Sequence, residues 1–193
     1  MRASRAVLGA ALICLAAGTA LGSTVLGLSI EDQARLSSYI VVGEVIAQQG
    51  IDHPQNGLET QVTLLAGSVF KGALKPGQTL VFHTRGGELN GEISLAEGEA
   101  VFHTGQKVLV FVEEVDGRLY NLGLSMGVWN VHEGTGGRTT FTRALQDGLE
   151  VYGPIPIEMG PVTLDEMASL VAWSLRNPAF DSPQLREALT RGR

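Results

Sequence analysis

The residues whose types could do chemistry are two histidines in a repeated tetrapeptide. The sequence Val-Phe-His-Thr occurs at residues 81–84 and again at residues 101–104. Two imidazoles in matching settings could face one metal ion. A zinc site, however, needs three or four ligands held by hydrogen-bonded supporting groups. The repeat ends after four residues, and no further His or Cys spacing completes a ligand set. We therefore assign no metal ligand to His83 or His103 and expect no cofactor.

Other reactive patterns are incomplete. Residues 134–138 have the composition of a phosphate-binding loop, but no helix with Lys and Ser or Thr follows, so we interpret them as a hairpin loop. Glu113 and Glu114 are adjacent and would point to opposite faces of a strand, so we expect them to solvate a hairpin rather than act as a pair. His53 and His132 are predicted in a loop and at a strand end. The sequence therefore predicts no catalytic residue and a non-enzymatic protein.

The first 22 residues are predicted to be a signal peptide. Arg2 and Arg5 precede an uncharged run of small and aliphatic residues, and the small residues that follow suit cleavage after Ala20 or Gly22. A retained membrane anchor is the alternative, and the glycines of the run disfavour it. We expect an exported protein that lies in the periplasm or outside the cell and meets the membrane only during export.

Cleavage would leave an acidic domain without cysteine. It would remove Cys14, the one cysteine, and two of the 14 Lys and Arg, so that 12 basic side chains face 20 acidic ones and the formal charge goes from −6 to −8. Such a domain has no disulfide, thiol nucleophile or thiolate metal site. It also lacks the clustered Lys and Arg that bind phosphate backbones. We expect a protein or glycan partner in the cell envelope or outside the cell, and no nucleic acid.

The chain after residue 28 predicts short strands separated by turns. Ser29 is expected to cap a short helix, Gly67 to mark a bulge, and Lys71 to be solvated at a corner before the Pro76–Gly77 turn. The Asp-Gly pair at residues 116–117 predicts a hairpin turn. Predicted strands cover residues 39–47, 60–70, 78–84, 107–113, 119–122 and 127–132, a short strand is possible at 92–95, and residues 48–59 and 84–100 are predicted to be variable, exposed loops.

Helices are predicted at the C-terminal end. Prolines between residues 154 and 161 predict a linker, Thr163 is expected to cap a helix, and Asn177–Pro178 to end it. Ser182 could begin a last short helix. Helical spacing places five apolar side chains on one face of the main helix, namely Leu164, Met167, Leu170, Val171 and Leu175.

The order of these elements resembles the netrin-like, TIMP-like oligonucleotide/oligosaccharide-binding (OB) barrel, and exported bacterial proteins with the same pattern. The resemblance spans residues 29–132 and rests on residues 39–45, 69–72 and 105–111. It implies a mainly β (α+β) fold. The expected domains are a signal peptide at 1–22, a small closed OB-like antiparallel β-barrel at 29–145, and a Pro-rich linker with C-terminal helices at 154–193.

The resemblance transfers no functional residue. Tissue inhibitors of metalloproteases bind the zinc of their target through an N-terminal cysteine, which the mature chain would lack. We expect an exported, non-enzymatic binding or interaction module that makes contacts through residues 48–59 and 84–100. Two alternatives stay open. One is a metalloprotein or enzyme based on His83 and His103, and the other is a protease inhibitor acting through barrel loops without the cysteine mechanism.

Overall fold

The structure, a computed structural model, describes residues 23–153, 157–178 and 182. The predicted signal peptide and the last predicted helix, from Pro183 onward, lie outside the described residues. The fold is mainly β with a helix near its C-terminal end. The elements in chain order are β1 (Ser23–Leu26), α1 (Ile30–Leu36), β2 (Tyr39–His53), β3 (Gly57–Lys71), β4 (Thr79–Arg85), β5 (Gly87–Leu89), β6 (Glu92–Ser94), β7 (Lys107–Val115), β8 (Arg118–Asn121), β9 (Val128–Glu133), β10 (Thr139–Arg143), β11 (Leu149–Tyr152), β12 (Val162–Thr163) and α2 (Leu164–Arg176).

Among the described residues, eight strands form one sheet whose pairings include a ring. The sheet order is β12–β10–β9–β7–β2–β3–β4–β8, and β7 also pairs with β8. The pairings therefore run from β7 through β2, β3, β4 and β8 back to β7. The neighbours in this ring are antiparallel except β4 and β8, which meet in parallel at one bridge between His83 and Tyr120. Two smaller pairs complete the strands, the parallel β1–β11 pair and the β5–β6 hairpin.

The segment predicted as a loop at residues 48–59 is instead the end of a long hairpin. The pairing of β2 with β3 continues to His53 opposite Gly57, and only residues 54–56 form a turn. Polar composition is misleading here because the strand ends face solvent while their backbone groups pair with each other. Gly50 also belongs to β2, and an added Cβ there would lie 1.8 Å from the Glu88 carbonyl oxygen, so glycine permits a close crossing of two strands.

The predicted bulge at Gly67 is confirmed by the register of β2 and β3. Val42 lies opposite Ser68 and Gly43 opposite Ala66, which leaves Gly67 without a partner. A bulge bends its strand and increases its twist. The bend is therefore expected in the last third of β3, four residues before its end at Lys71.

Strand β7 is buried on both faces at residues 108–112, as β2 is at Ile40 and Val41, and this explains the unbroken apolar run of β7. Val108, Val110 and Val112 pack in one core, whereas Leu109 and Phe111 pack in another. A strand with one solvent-exposed face would alternate apolar and polar residues instead. The first core also contains Val41, Val45, Val62, Leu64, Leu80, Phe82, Phe102 and Val128. The second contains Ile30, Ala34, Ile40, Met126, Trp129, Phe141, Met167 and Val171, so it joins both helices to the sheet.

The short helix α1 begins as predicted, and the side chain of Lys71 caps its C-terminal end. The Ser29 side chain accepts a hydrogen bond of 3.2 Å from the Asp32 backbone N–H. At the other end, the Lys71 ammonium donates to the carbonyl oxygens of Ala34 (2.7 Å) and Arg35 (3.1 Å). The prediction of a solvated Lys71 is therefore wrong. The last carbonyls of a helix lack intrahelical donors and carry partial negative charge, and the ammonium satisfies both needs.

The predicted cap of α2 is confirmed, but its apolar face is narrower than predicted. The Thr163 side chain accepts from the Glu166 backbone N–H, and the Glu166 carboxylate accepts from the Thr163 N–H. Met167 and Val171 are buried, whereas Leu164 and Leu175 are exposed. The docked face centres on Met167, Val171 and Ser174, and the Ser174 hydroxyl donates 2.7 Å to the Glu31 carbonyl of α1. No helix among the described residues is long and apolar enough to cross a membrane.

The second predicted loop, residues 84–100, contains the β5–β6 hairpin. The possible strand at 92–95 is confirmed for Glu92–Ser94. Asn90 and Gly91 have φ values of 54° and 83°, the left-handed backbone that a two-residue hairpin turn requires. An Asn-Gly pair is a hairpin signal, and the loop prediction for residues 84–100 overlooked it.

Candidate functional site

The structure does not bring the two histidines of the repeat to a common partner. The His83 Nδ1 lies 3.1 Å from the Leu119 carbonyl oxygen, and its Nε2 lies 3.4 Å from the Gln61 Nε2. His103 is exposed in the turn before β7, where its backbone N–H donates to the side chain of Gln106. In residues 23–153, 157–178 and 182, no group of three or more His, Cys, Asp or Glu is placed to hold a metal ion.

The remaining candidates from the sequence are structural or solvated. The loop at residues 134–138 closes the β9–β10 hairpin, with the Gly134 N–H donating to the Arg138 carbonyl at 2.8 Å, as predicted. His132 bonds Thr142 through its Nε2 at 2.7 Å, on the neighbouring strand. His53 accepts hydrogen bonds from the backbone within the β2–β3 turn, and it also borders the cavity described next.

A cavity of about 490 Å³ opens between the β2–β3 turn, the β7–β8 hairpin and the segment before Ala100. This volume is within the range typical of small-molecule sites, roughly 300–1,000 Å³. We call it the polar pocket because charged and amide side chains dominate its wall. The residues that matter for its chemistry are His53, Asn56, Arg85, Glu99, Glu113 and Arg118.

Strand register positions these side chains. The two-residue turn at Asp116 and Gly117, with φ values of 51° and 77°, confirms the predicted hairpin. It places Glu113 of β7 opposite Tyr120 of β8. Residues directly opposite in an antiparallel pair point to the same face, so these two side chains share a wall of the pocket.

Glu59, behind that wall, anchors the β2–β3 turn to β8. Its carboxylate is fully buried and accepts hydrogen bonds from Asn56 (2.8 Å), Tyr120 (2.9 Å) and Arg118 (2.7 Å). Burial acts to raise the pKa of Glu59, but the two neutral donors and the guanidinium charge outweigh it, so the pKa is lowered. An ionised Glu59 thus holds the side chains of Asn56, Arg118 and Tyr120 in fixed positions.

Glu99 ties together three segments around the pocket. One oxygen accepts from the Ala100 N–H (3.0 Å) and the Asn121 amide (2.8 Å), and the other accepts from the Arg85 N–H (3.2 Å). Asn121 also donates 2.6 Å to the Leu124 carbonyl. Burial raises the pKa of Glu99 despite these donors. Its role is therefore to hold the ends of β4 and β8 together.

Two carboxylates of the pocket wall are open to a ligand, the exposed Asp116 of the β7–β8 turn and Glu113 of β7. Glu113 is half-buried in the pocket wall, and burial raises its pKa, opposed by the positive charge of Arg85. Among the described residues, none donates a hydrogen bond to its side chain. The expectation that both Glu113 and Glu114 are solvated holds only for Glu114, which is exposed.

Known proteins supply no template for this site. Comparisons of the chain with protein-family models, with curated proteins and with solved structures found no match. The polar pocket is therefore assigned from its geometry.

Sequence reasoning missed the pocket because its residues come from distant strands. Glu59 and Arg118 form an ion pair of 2.7 Å across 59 positions of sequence. Neither lies in a motif with a characteristic spacing. A weaker signal was present, because Arg85 and Arg118 stand at ends of predicted strands, where side chains from several strands converge.

Proposed function

We propose that the chain is an exported, non-enzymatic binding module built on a small closed OB-like barrel, and that the polar pocket binds a hydroxyl-rich ligand of the glycan class. The observation that carries the proposal is the pocket itself. It is a cavity of ligand size whose wall carries the accessible carboxylates of Glu113 and Asp116 beside the guanidinium groups of Arg85 and Arg118.

The ring of strand pairings supports the barrel. An OB barrel has five strands in a Greek-key order, and its ligands meet the face of the second and third strands and the loops after the first and fourth. The corresponding strands here are β2, β3, β4, β7 and β8. The corresponding loops are residues 54–56 and 116–117, and Gln55, Asn56 and Asp116 from these loops border the polar pocket.

The mixture of donors and acceptors supports a glycan. Sugar hydroxyls both donate and accept, so they can bond a carboxylate and a guanidinium in the same site. Nucleic acid has less support, because the chain after the predicted cleavage has a formal charge of −8 and phosphate binding depends on clustered cations. A neutral polar ligand avoids that repulsion.

The state of the carboxylates supports binding rather than catalysis. Glu59 and Glu99 each already accept three hydrogen bonds from the protein, so these two carboxylates hold structure. Hydrolysis of a glycosidic bond generally uses two positioned carboxylates, whereas Glu113 is half-buried and Asp116 is an exposed residue of the β7–β8 turn. The histidine alternative has less support because His83 and His103 bond different partners. A loop-based inhibitor has less support because residues 48–59 are mostly paired strand.

The test is calorimetric titration of the purified chain with neutral trisaccharides, namely maltotriose, cellotriose and chitotriose. We expect at least one to bind, and Glu113→Gln to weaken that binding roughly tenfold, since a hydrogen bond to a charged group contributes about 1.5–3 kcal/mol. Glu114→Gln is the matched control, because Glu114 is adjacent but exposed on the other face of β7, and we expect no change in affinity.

Three outcomes would contradict the proposal. Absence of binding for all three sugars would remove the glycan class. Equal affinity in Glu113→Gln and the unmodified chain would place the site elsewhere. Release of shorter sugars during the titration, followed by chromatography, would show an enzyme instead of a binding module.

A further inference from the structure

The β5–β6 hairpin packs closely against the β2–β3 hairpin. Its β5 strand crosses β2 at Gly50 so closely that only glycine fits there. The Thr60 hydroxyl donates 2.9 Å to the Gly86 carbonyl at the base of the hairpin. An added Cβ at Gly87 would meet the same Thr60 oxygen at 2.5 Å. The hairpin is thus held at its base and along β5, and β6 is its outer strand.

The outer strand presents apolar side chains and a free edge. Ile93 is 65% exposed and Leu95 is 88% exposed. In the described part of the chain, β6 pairs with β5 alone. In a hairpin closed by a two-residue turn, the pair next to the turn exchanges hydrogen bonds and the following pair does not. The following pair is Glu88 and Ile93, so the N–H and C=O of Ile93 point away from β5.

One face of the hairpin borders an acidic hollow. A cavity of about 410 Å³ lies between the hairpin and the end of β2–β3, with the carboxylates of Asp52 and Glu92 and the side chains of Leu58 and Leu89 on its wall. Residues 86–106 contain four glutamates and no Lys or Arg. Leu89 and Glu92 are cross-strand partners and share this face, whereas Ile93 lies on the other face.

We propose that the free edge of β6 is the docking site for an extended segment of a protein partner in which apolar and basic residues alternate. Backbone groups of the segment pair with Ile93, in the manner of strand addition to a sheet edge. Alternate side chains of the added strand then fall on the two faces. A Lys or Arg enters the acidic hollow with its stem against Leu58 and Leu89, and an apolar residue covers Ile93. Charge complementarity selects this occupant, because the three exposed glutamates of this region, Glu88, Glu92 and Glu97, repel an anionic membrane surface and an acidic strand.

The proposal is independent of the polar pocket, and its test uses synthetic peptides. The probe is a fluorescein-labelled peptide of alternating Val and Lys, titrated with the purified full chain by fluorescence anisotropy. One control peptide carries Glu in place of Lys, and another has the same composition with the lysines grouped. We expect the alternating peptide to bind roughly tenfold more tightly than either control, because both edge pairing and charge contribute.

Two variants separate the contribution of backbone pairing at the β6 edge from the contribution of charge to peptide binding. Ile93→Pro removes the outward N–H at an exposed edge position that tolerates proline, and we expect roughly tenfold weaker binding, with Ile93→Ala less affected. Glu92→Lys should weaken binding by a similar factor, whereas Glu97→Lys makes the same charge change outside the strand and should have little effect. Unchanged far-UV circular dichroism shows that each variant is folded.

Several results would overturn the proposal. These are absence of peptide binding, equal binding of the Glu peptide, and wild-type affinity in both Ile93→Pro and Glu92→Lys. Binding of the chain to phosphatidylglycerol vesicles that is lost in Ile93→Lys would assign the surface to a lipid bilayer and would also overturn it. Trisaccharide titrations of the same variants are expected to be unchanged, so failure here is distinct from failure at the polar pocket.

Discussion

The two copies of Val-Phe-His-Thr, at residues 81–84 and 101–104, have the same sequence and different surroundings. Both phenylalanines are buried, and their rings contact each other edge to face, with centroids 5.3 Å apart and planes at 77°. Both valines are exposed. The two copies therefore agree in two respects. The phenylalanine is buried because its ring is strongly apolar, and the valine before it is exposed because successive side chains of an extended backbone point to opposite sides.

The copies differ at the histidine and the threonine. His83 is half-buried, between Gln61 of β3 and the backbone of Leu119, and Thr84 is buried, because β4 has strands on both sides there. His103 and Thr104 are exposed in a segment with no strand pairing. Identical local sequence thus acquires a different environment from the elements that pack against it. The contrast also explains why a matching pair of histidines forms no site.

The largest expected effect tests the feature that the two copies share, the burial of their phenylalanine. Phe82→Ala should lower the free energy of unfolding by about 3–5 kcal/mol, because a fully buried ring leaves a cavity when removed. Phe102→Ala should act in the same direction with a smaller loss, since its segment can relax towards the cavity. Urea denaturation of each variant measures both values. No loss of stability in Phe102→Ala would show that the second copy is not part of the core.

A double-mutant cycle measures the interaction between the two buried rings, Phe82 and Phe102. Edge-to-face aromatic pairs contribute about 0.5–1.5 kcal/mol beyond the area they bury. The unfolding free energies of Phe82→Leu, Phe102→Leu and the double variant should give a coupling energy of that size. Strict additivity of the two single changes would mean that the rings are buried independently.

Acid titration tests the burial of the histidine in the first copy, His83. Burial lowers the pKa of His83 below its ordinary value of 6.5, and only part of this is offset by the hydrogen bond to the Leu119 carbonyl. Between the folded and unfolded pKa values of His83, the unfolded state binds more protons than the folded state. The free energy of unfolding is therefore highest above pH 6.5 and decreases as the pH falls from there through the folded pKa. Denaturation curves across this range should show a smaller pH dependence in His83→Gln than in the unmodified chain.

The smallest expected effect is at the exposed histidine. His103→Ala should change the free energy of unfolding by less than about 0.5 kcal/mol, as is usual for a surface substitution. Thermal unfolding monitored by circular dichroism is sufficient to detect a larger change. A larger loss would show that His103 packs against the rest of the protein, as His83 does.

Much of the strand and turn pattern could be predicted because local physics decides it. The Asp116–Gly117 pair adopts the left-handed backbone of a hairpin turn, and Gly67 leaves the β2–β3 register as a bulge. Thr163 and Glu166 cap α2 reciprocally. Each of these depends on residues near in sequence, so composition and spacing carry the information.

The polar pocket could not be predicted, because charged residues reveal a site from sequence only when their spacing is short and regular. Glu59 and Arg118 meet only after β3, β4, β7 and β8 have paired. The loop prediction for residues 48–59 is wrong for a related reason. Their polar side chains are typical of a loop, whereas the facing strand satisfies their backbone groups.

The sequence by itself determined where most strands and turns of this protein lie and how the main C-terminal helix begins and ends. The tertiary structure decided which side of each strand faces solvent, that Lys71 caps α1, and that Glu59 and Arg118 pair behind the polar pocket. The physical reason is range: backbone preference and capping act over a few residues, whereas burial and ion pairing depend on residues far apart in the chain.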